Sequence, residues 1–348
     1  MATLRGQFTQ ALTNIEVNGA KRDRAIAAHT EIRSLLEADA QLREWGINTV
    51  LIGSYKRKTG IYPGKDVDVF CRFDDLDTSA SPRDVYTEVE RVLVAEYGLV
   101  SEGGRASPQA RSTKIDFPEP DDEGDDAAFS VDAVSAVYDG EHWAIPTKDR
   151  SRWAGSVGRW STTNPERFAD LSSALSTSSL SPTVGGRDAY KPVVKLMRQA
   201  RRVHLGERRP GGLYVELAVY EAWKQGLVYG DEWDPLFAHT LRQVARRLDL
   251  GRFSPLIDPA LGTPVEPPVS DDDYAHAAEV FAQLADLAED ALNLDDCAAA
   301  VKWRKILGTN RGSHQVFPLP SGCDANGFRI RAIAPVLGVG IDEARRFG

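Results

Sequence analysis

Gly53-Ser54-Tyr55-Lys56-Arg57-Lys58-Thr59-Gly60-Ile61, followed a few residues on by Lys65-Asp66-Val67-Asp68-Val69, is the stretch that decides the fold. Alternate side chains of a strand share a face, so Asp66 and Asp68 point one way while Val67 and Val69 point into a core. Two carboxylates held this close repel unless a cation lies between them, and hard oxygen ligands suit Mg²⁺ or Mn²⁺. Upstream, Thr49 to Ile52 is a short apolar, partly β-branched run. It reads as a buried strand that ends in the Gly53-Ser54 turn, where backbone N–H groups and a hydroxyl are available to a phosphate. A metal site and a phosphate cradle would then face each other. The basic run Lys56-Arg57-Lys58 reads as a loop, and Pro63-Gly64 as a turn.

A third carboxylate is expected from a neighbouring strand. Phe129-Ser130-Val131-Asp132-Ala133-Val134 supplies one, with apolar alternation around Asp132, and Asp116 in Lys114-Ile115-Asp116-Phe117 is its rival. The bland alternative for Asp132 is an edge-strand carboxylate facing solvent. Two metal ions about 4 Å apart can activate a ribose hydroxyl and stabilise a leaving pyrophosphate. An Asp-x-Asp pair alone is common on surface strands; here the Gly-Ser turn, the spacing and the flanking apolar alternation coincide.

On these residues the chain resembles the bacterial cGAS/DncV-like nucleotidyltransferases (CD-NTases) of the polymerase β-like superfamily. The resemblance extends to about Pro318 and takes in Val194-Lys195-Leu196-Met197-Arg198 and Lys302-Trp303-Arg304 through Phe317-Pro318. It implies a catalytic set of Asp66, Asp68 and Asp132, which would also hold the metal (Mg²⁺ or Mn²⁺, two ions), with Gly53, Ser54, Lys195 and Arg198 binding substrate. One departure stands out: Arg198 occupies the place of the family's triphosphate-contacting Lys, so either Lys195 takes that role or Arg198 does so with a different geometry. The implied fold is α+β: a nucleotidyltransferase lobe with a twisted mixed sheet, then an all-helical lobe like that of the oligoadenylate synthetases. The implied reaction joins nucleoside triphosphates into a cyclic di- or trinucleotide second messenger in antiphage defence, read by a separate effector protein. Linear oligonucleotide synthesis, or nucleotide addition to a tRNA or protein acceptor, would use the same carboxylates. A catalytically silent nucleotide-binding sensor of the same fold is the alternative of another class.

Working outward, residues 22–41 carry Ala25, His29, Ile32, Leu35 and Leu36 at helical spacing, and Val85, Val89, Val92 and Glu96 mark a helix closed by Gly98. The acidic segment Glu119 to Asp126 is too polar for a core. Residues 151–186, rich in Ser, Thr and Gly, read as a linker with at most short helices. From Asp188 the pattern is helical, with Asp234-Pro235 as N-cap and N1, and Ser270 and Asp295 opening two further helices. These signals divide the chain into a catalytic lobe (1–155), a helical lobe (156–320) and a C-terminal extension (321–348).

The chain has 348 residues, 42% of them hydrophobic, and a formal net charge of −9. That is enough apolar material for two lobes, and the charge argues against a surface built to hold nucleic acid. The arginines 198, 201, 202, 208 and 209 line either the nucleotide cleft or a solvated helix face. Tyr214 and Trp223 read as core, His204 as structural, and Asp271-Asp272-Asp273 as helix-start charge. The three cysteines form no CxxC pair and read as buried thiols; with no secretory or membrane segment, a cytosolic protein is expected. The terminal Gly348 fits conjugation by a ubiquitin-like ligation enzyme, as the resemblance implies for some relatives; a tail docked on the helical lobe is the plainer reading.

Overall fold

The computed structural model of the chain describes residues 4–17, 19–62, 66–117, 129–265 and 269–330. Pro63-Gly64, the Glu119–Asp126 segment and Gly348 lie outside them. Helix α1 (Arg5–Ile15) comes first, then α2 (Gly19–Ala38) and α3 (Ala40–Glu44). Strand β1 (Ile47–Ile52) leads into a short helix, α4 (Gly53–Arg57), and β2 spans Asp66–Asp77. The basic run expected as a loop is therefore largely helical, and Arg57 at its end is buried, because a carboxylate described below draws it inward.

Ser81 caps α5 (Pro82–Tyr97) by accepting from the Asp84 N–H, Pro82 supplies the first helical φ, and Gly98 ends the helix at a positive φ of 66°. Strands β3 (Ala106–Pro108), β4 (Ser112–Phe117), β5 (Phe129–Asp139), β6 (His142–Pro146) and β7 (Trp160–Thr163) complete a seven-stranded mixed sheet of order β1-β2-β5-β4-β3, with β6 joining β5 to β7. Alternation along β2 sends Val67, Val69, Cys71 and Phe73 into a core shared with Ile32, Leu36, Val85 and Val89 of α2 and α5. The opposite face of β2 carries Asp66 and Asp68, then Phe70 and Arg72, with Phe70 packed against Trp143 and Ile145.

The helical part comprises α6 (Pro165–Ser176), α7 (Tyr190–Leu205), α8 (Gly212–Lys224), α9 (Trp233–Asp249), α10 (Asp271–Ala291) and α11 (Asp296–Leu307). Their apolar faces share one core, and α1 belongs to it through Leu4, Phe8, Leu12 and Ile15. Ser270 and Asp273 form a reciprocal capping box at the start of α10, and Asp295 caps α11.

Three expectations are corrected. Residues 151–186 are not a linker: β7 closes the sheet, and the twelve-residue α6 is capped by Asn164 and buries Phe168 and Leu175. Helix α9 starts at Trp233 with Glu232 as its N-cap, so Asp234 lies inside the first turn, where its charge still favours the helix dipole. Cys297 and Cys323 are joined by a disulfide across 26 residues, and only Cys71 is a free buried thiol. Their Cα atoms lie 5.3 Å apart, a proximity made by the packing of residues 321–330 back on α11 and invisible to sequence spacing.

Candidate active site

Strand register assembles the acidic face. Parallel pairing sets Asp68 opposite Asp132 and Asp66 opposite Ser130; antiparallel pairing on the other side of β5 sets Lys114 opposite Asp132 and Asp116 opposite Ser130. Two polar rows thus cross three strands. Ser130 donates to Asp66 Oδ1 at 3.0 Å. Asp116 is about half exposed and pairs with Lys114 at 2.6 Å, so Asp132 is the more enclosed of the two rivals.

Asp132 Oδ1 is buried and has no hydrogen-bond partner. Burial, then the charges of Asp68 and Asp66, push its carboxyl up to about 7. Burial and then Asp66 also raise Asp68, against the pull of Arg57 and Arg198. An oxygen-rich cluster strained in this way fits a hard divalent cation by donor type and strand placement. Among the described residues, however, no three carboxylate, His or Cys side chains already converge in a metal-ligand arrangement.

The Gly53-Ser54 turn stands where β1 ends, with Ile52 opposite Asp68. Gly53 has φ +68°, and a Cβ there would lie 1.8 Å from Asp68 Oδ2, so only glycine lets the turn close on the carboxylate. Ser54 lines two cavities that flank the turn. One, of about 480 Å³, is also lined by Asp66, Asp68, Asp132, Arg111 and Arg198; the other, of about 400 Å³, by Asp66, Tyr55, Lys58, Arg22 and Lys195. Each is large enough for a nucleotide-sized ligand. Lys195 and Arg198, three apart on one face of α7, thus open onto different sides of the turn.

Lys195 is held by Glu16 at 2.7 Å, and Arg187 also pairs with Glu16. Arg198 donates to Glu216, as do Arg57 and Thr59. The sequence reading missed Glu16 and Glu216. A signal for the second was present: a lone carboxylate in the otherwise apolar run Leu213-Tyr214-Val215-Glu216-Leu217-Ala218-Val219. Two other arginines of the cluster hold structure, Arg201 donating to the carbonyls of Gly206, Arg208 and Pro210, and Arg202 to Gln199 and the Thr309 carbonyl. His204 contacts the Ile306 carbonyl, and Tyr214 and Trp223 are buried.

Residues 1–111 match the model of the Second Messenger Oligonucleotide or Dinucleotide Synthetase domain, SMODS. A cyclic AMP-AMP-AMP synthase of Acinetobacter sp. (strain ATCC 27244 / 9458) is 26% identical over 316 residues, which cover 88% of this chain and 84% of the relative. Among solved structures, the Bradyrhizobium diazoefficiens CD-NTase CdnG in complex with GTP superimposes with TM-score 0.64 at 15% identity, over 84% of this chain and 92% of that one. The apo form of Vibrio cholerae DncV does so with TM-score 0.65 at 12% identity, over 90% and 97%. The chain thus shares the fold of these nucleotidyltransferases, a mixed-sheet lobe beside a helical one. By that domain match and the Acinetobacter relative, the chain is similar to bacterial synthases of cyclic oligonucleotides.

Proposed function

We propose that the chain is a metal-dependent cyclic oligonucleotide synthase in which Asp66, Asp68 and Asp132 hold two Mg²⁺ or Mn²⁺ ions. The observation that carries this reading is the register that sets Asp68 opposite Asp132 beside a turn only Gly53 can make. Divalent ions there would activate an attacking ribose hydroxyl and stabilise the leaving pyrophosphate. The chain's own groups do the rest. Ser54 offers its hydroxyl to the donor triphosphate, Lys195 and Arg198 supply positive charge from α7, and the cavity walls Ile52, Phe70, Val134 and Ile145 exclude water around the reacting groups. The product would signal through a separate effector protein in antiphage defence. Because the Acinetobacter relative is named for a cyclic tri-adenylate, ATP is the first substrate to test, with a cyclic di- or trinucleotide as product.

Purified protein incubated with labelled ATP, GTP, CTP and UTP and Mg²⁺ or Mn²⁺ is expected to release pyrophosphate and give a phosphatase-resistant, hence cyclic, product. Chelation should stop the reaction without unfolding the protein, since these ions complete a site rather than a core. Asp66→Ala and Asp68→Ala should each lower turnover by at least about 10³-fold, the loss of a metal-held charge clamp. Near wild-type turnover in either variant at saturating Mg²⁺ would remove the metal assignment.

A further inference from the structure

Helix α8 is apolar along almost its whole length, yet Glu216 lies in it fully buried. An ionised carboxylate at such a position costs several kcal/mol unless its oxygens are satisfied. Four hydrogen bonds satisfy it: from Arg57 Nε at 2.7 Å and Nη2 at 3.1 Å, from Thr59 Oγ1 at 2.9 Å, and from Arg198 Nη1 at 3.1 Å. Burial works to raise this carboxyl, but the charge and hydrogen bonds of Arg57, then Arg198 and Thr59, hold it below the usual carboxylate range.

The donors come from two places that matter to a nucleotide. Arg57 and Thr59 close the segment that begins at Gly53-Ser54, the Thr59 N–H donates to the Ser54 carbonyl at 3.0 Å, and the Arg57 guanidinium lies 4.9 Å over the Phe168 ring of α6. Arg198 comes from α7 and faces the cavity that holds the three aspartates. Well-packed apolar side chains would serve stability as well as this buried ionic cluster does, so the cluster's distinguishing effect is geometric. We propose that Glu216 is a positioning residue, fastening the Ser54 turn and Arg198 to the helical lobe so that both meet the triphosphate of a bound nucleotide in one fixed arrangement. This rests on the nucleotidyltransferase reading above. Two guanidiniums against one carboxylate leave a net positive charge beside Asp68, and without Glu216 they are free to turn onto that carboxylate instead.

The test compares wild type with Glu216→Gln, and Thr59→Val with Thr59→Ser. It reads calorimetric Kd for α,β-methylene-ATP with Mg²⁺, KM and kcat for product formation, and the thermal midpoint. With the turn adrift, Glu216→Gln should raise Kd and KM together by about tenfold or more while kcat moves less than about threefold, because the lost contacts bind ground state and transition state alike. Thr59→Val should shift Kd and KM the same way by less, and Thr59→Ser, which keeps the hydroxyl, should restore them. Unchanged Kd and KM in folded Glu216→Gln, or activity lost only in step with unfolding, would overturn the proposal. Should Glu216→Gln not fold, the Thr59 pair decides by the same readout. A wild type that binds the analogue but makes no product sinks the reaction assignment alone, since the Kd comparison still judges Glu216.

Discussion

Asp132 shows how function is set against stability at a single residue. Its carboxyl, ordinarily near 4, is raised to about 7 by burial and by Asp68 and Asp66, so the folded chain holds this proton more tightly than the unfolded chain does. A raised carboxyl contributes stability fully below about pH 4 and loses it as pH climbs to 7; above that the folded protein carries the whole cost of the ionised group. Without divalent cations, Asp132→Asn should therefore stabilise the fold at pH 8 by on the order of 1–2 kcal/mol after screening of a partly exposed group, read as a raised thermal midpoint, and give no gain at pH 4. The same variant should make no product. Asp116→Asn should do neither, because that side chain is about half exposed and paired with Lys114. Thermal scans at the two pH values with parallel product assays check both halves. The reverse ranking of the two variants would move the third carboxylate to Asp116.

At the scale of elements, α1 is the part whose role the sequence conceals. Its Phe8 is fully buried and meets Phe237, Trp303 and Phe317 edge-on, with centroids at 6.5, 5.0 and 4.9 Å. Phe8→Ala should destabilise the chain by about 3–5 kcal/mol, measured by denaturant titration; a loss below about 1 kcal/mol would mean that the helix is peripheral. The reason α1 went unread is physical. Its apolar residues are few and dilute in RGQFTQALTNI, and the partners that give the stripe its core come from far along the chain, on α7, α9 and α11 and at Phe317. Strands β1, β2, β4 and β5 were legible because alternation is local, and the placing of Asp66 and Asp68 on one face follows from it. That Asp68 lies level with Asp132 is a matter of register, which no single strand carries. Asn164-Pro165 announced α6, but the Ser and Thr around it masked the signal. The Cys297–Cys323 disulfide and the Glu216 cluster join residues 26 and more than 150 positions apart. Local pattern does not reach so far.

Taken whole, the molecule carries a net charge of −9, so phosphate polymers meet a repelling field except where Lys and Arg line the cleft. Product formation should accordingly be indifferent to duplex DNA across about 50–200 mM salt, whereas an enzyme switched on by DNA would show a rate that falls steeply with salt. Rates measured with and without DNA at the two ends of that range check this. The described helices include none long and apolar enough to cross a membrane.

Because α1 is packed among the later helices, the sheet and its covering helices are threaded into the helical half rather than hung from its front end. The chain crosses between the halves near Glu16 and again at Asn164. Two chain crossings and the buried Arg57–Glu216 pair thus fasten the halves to each other at three places.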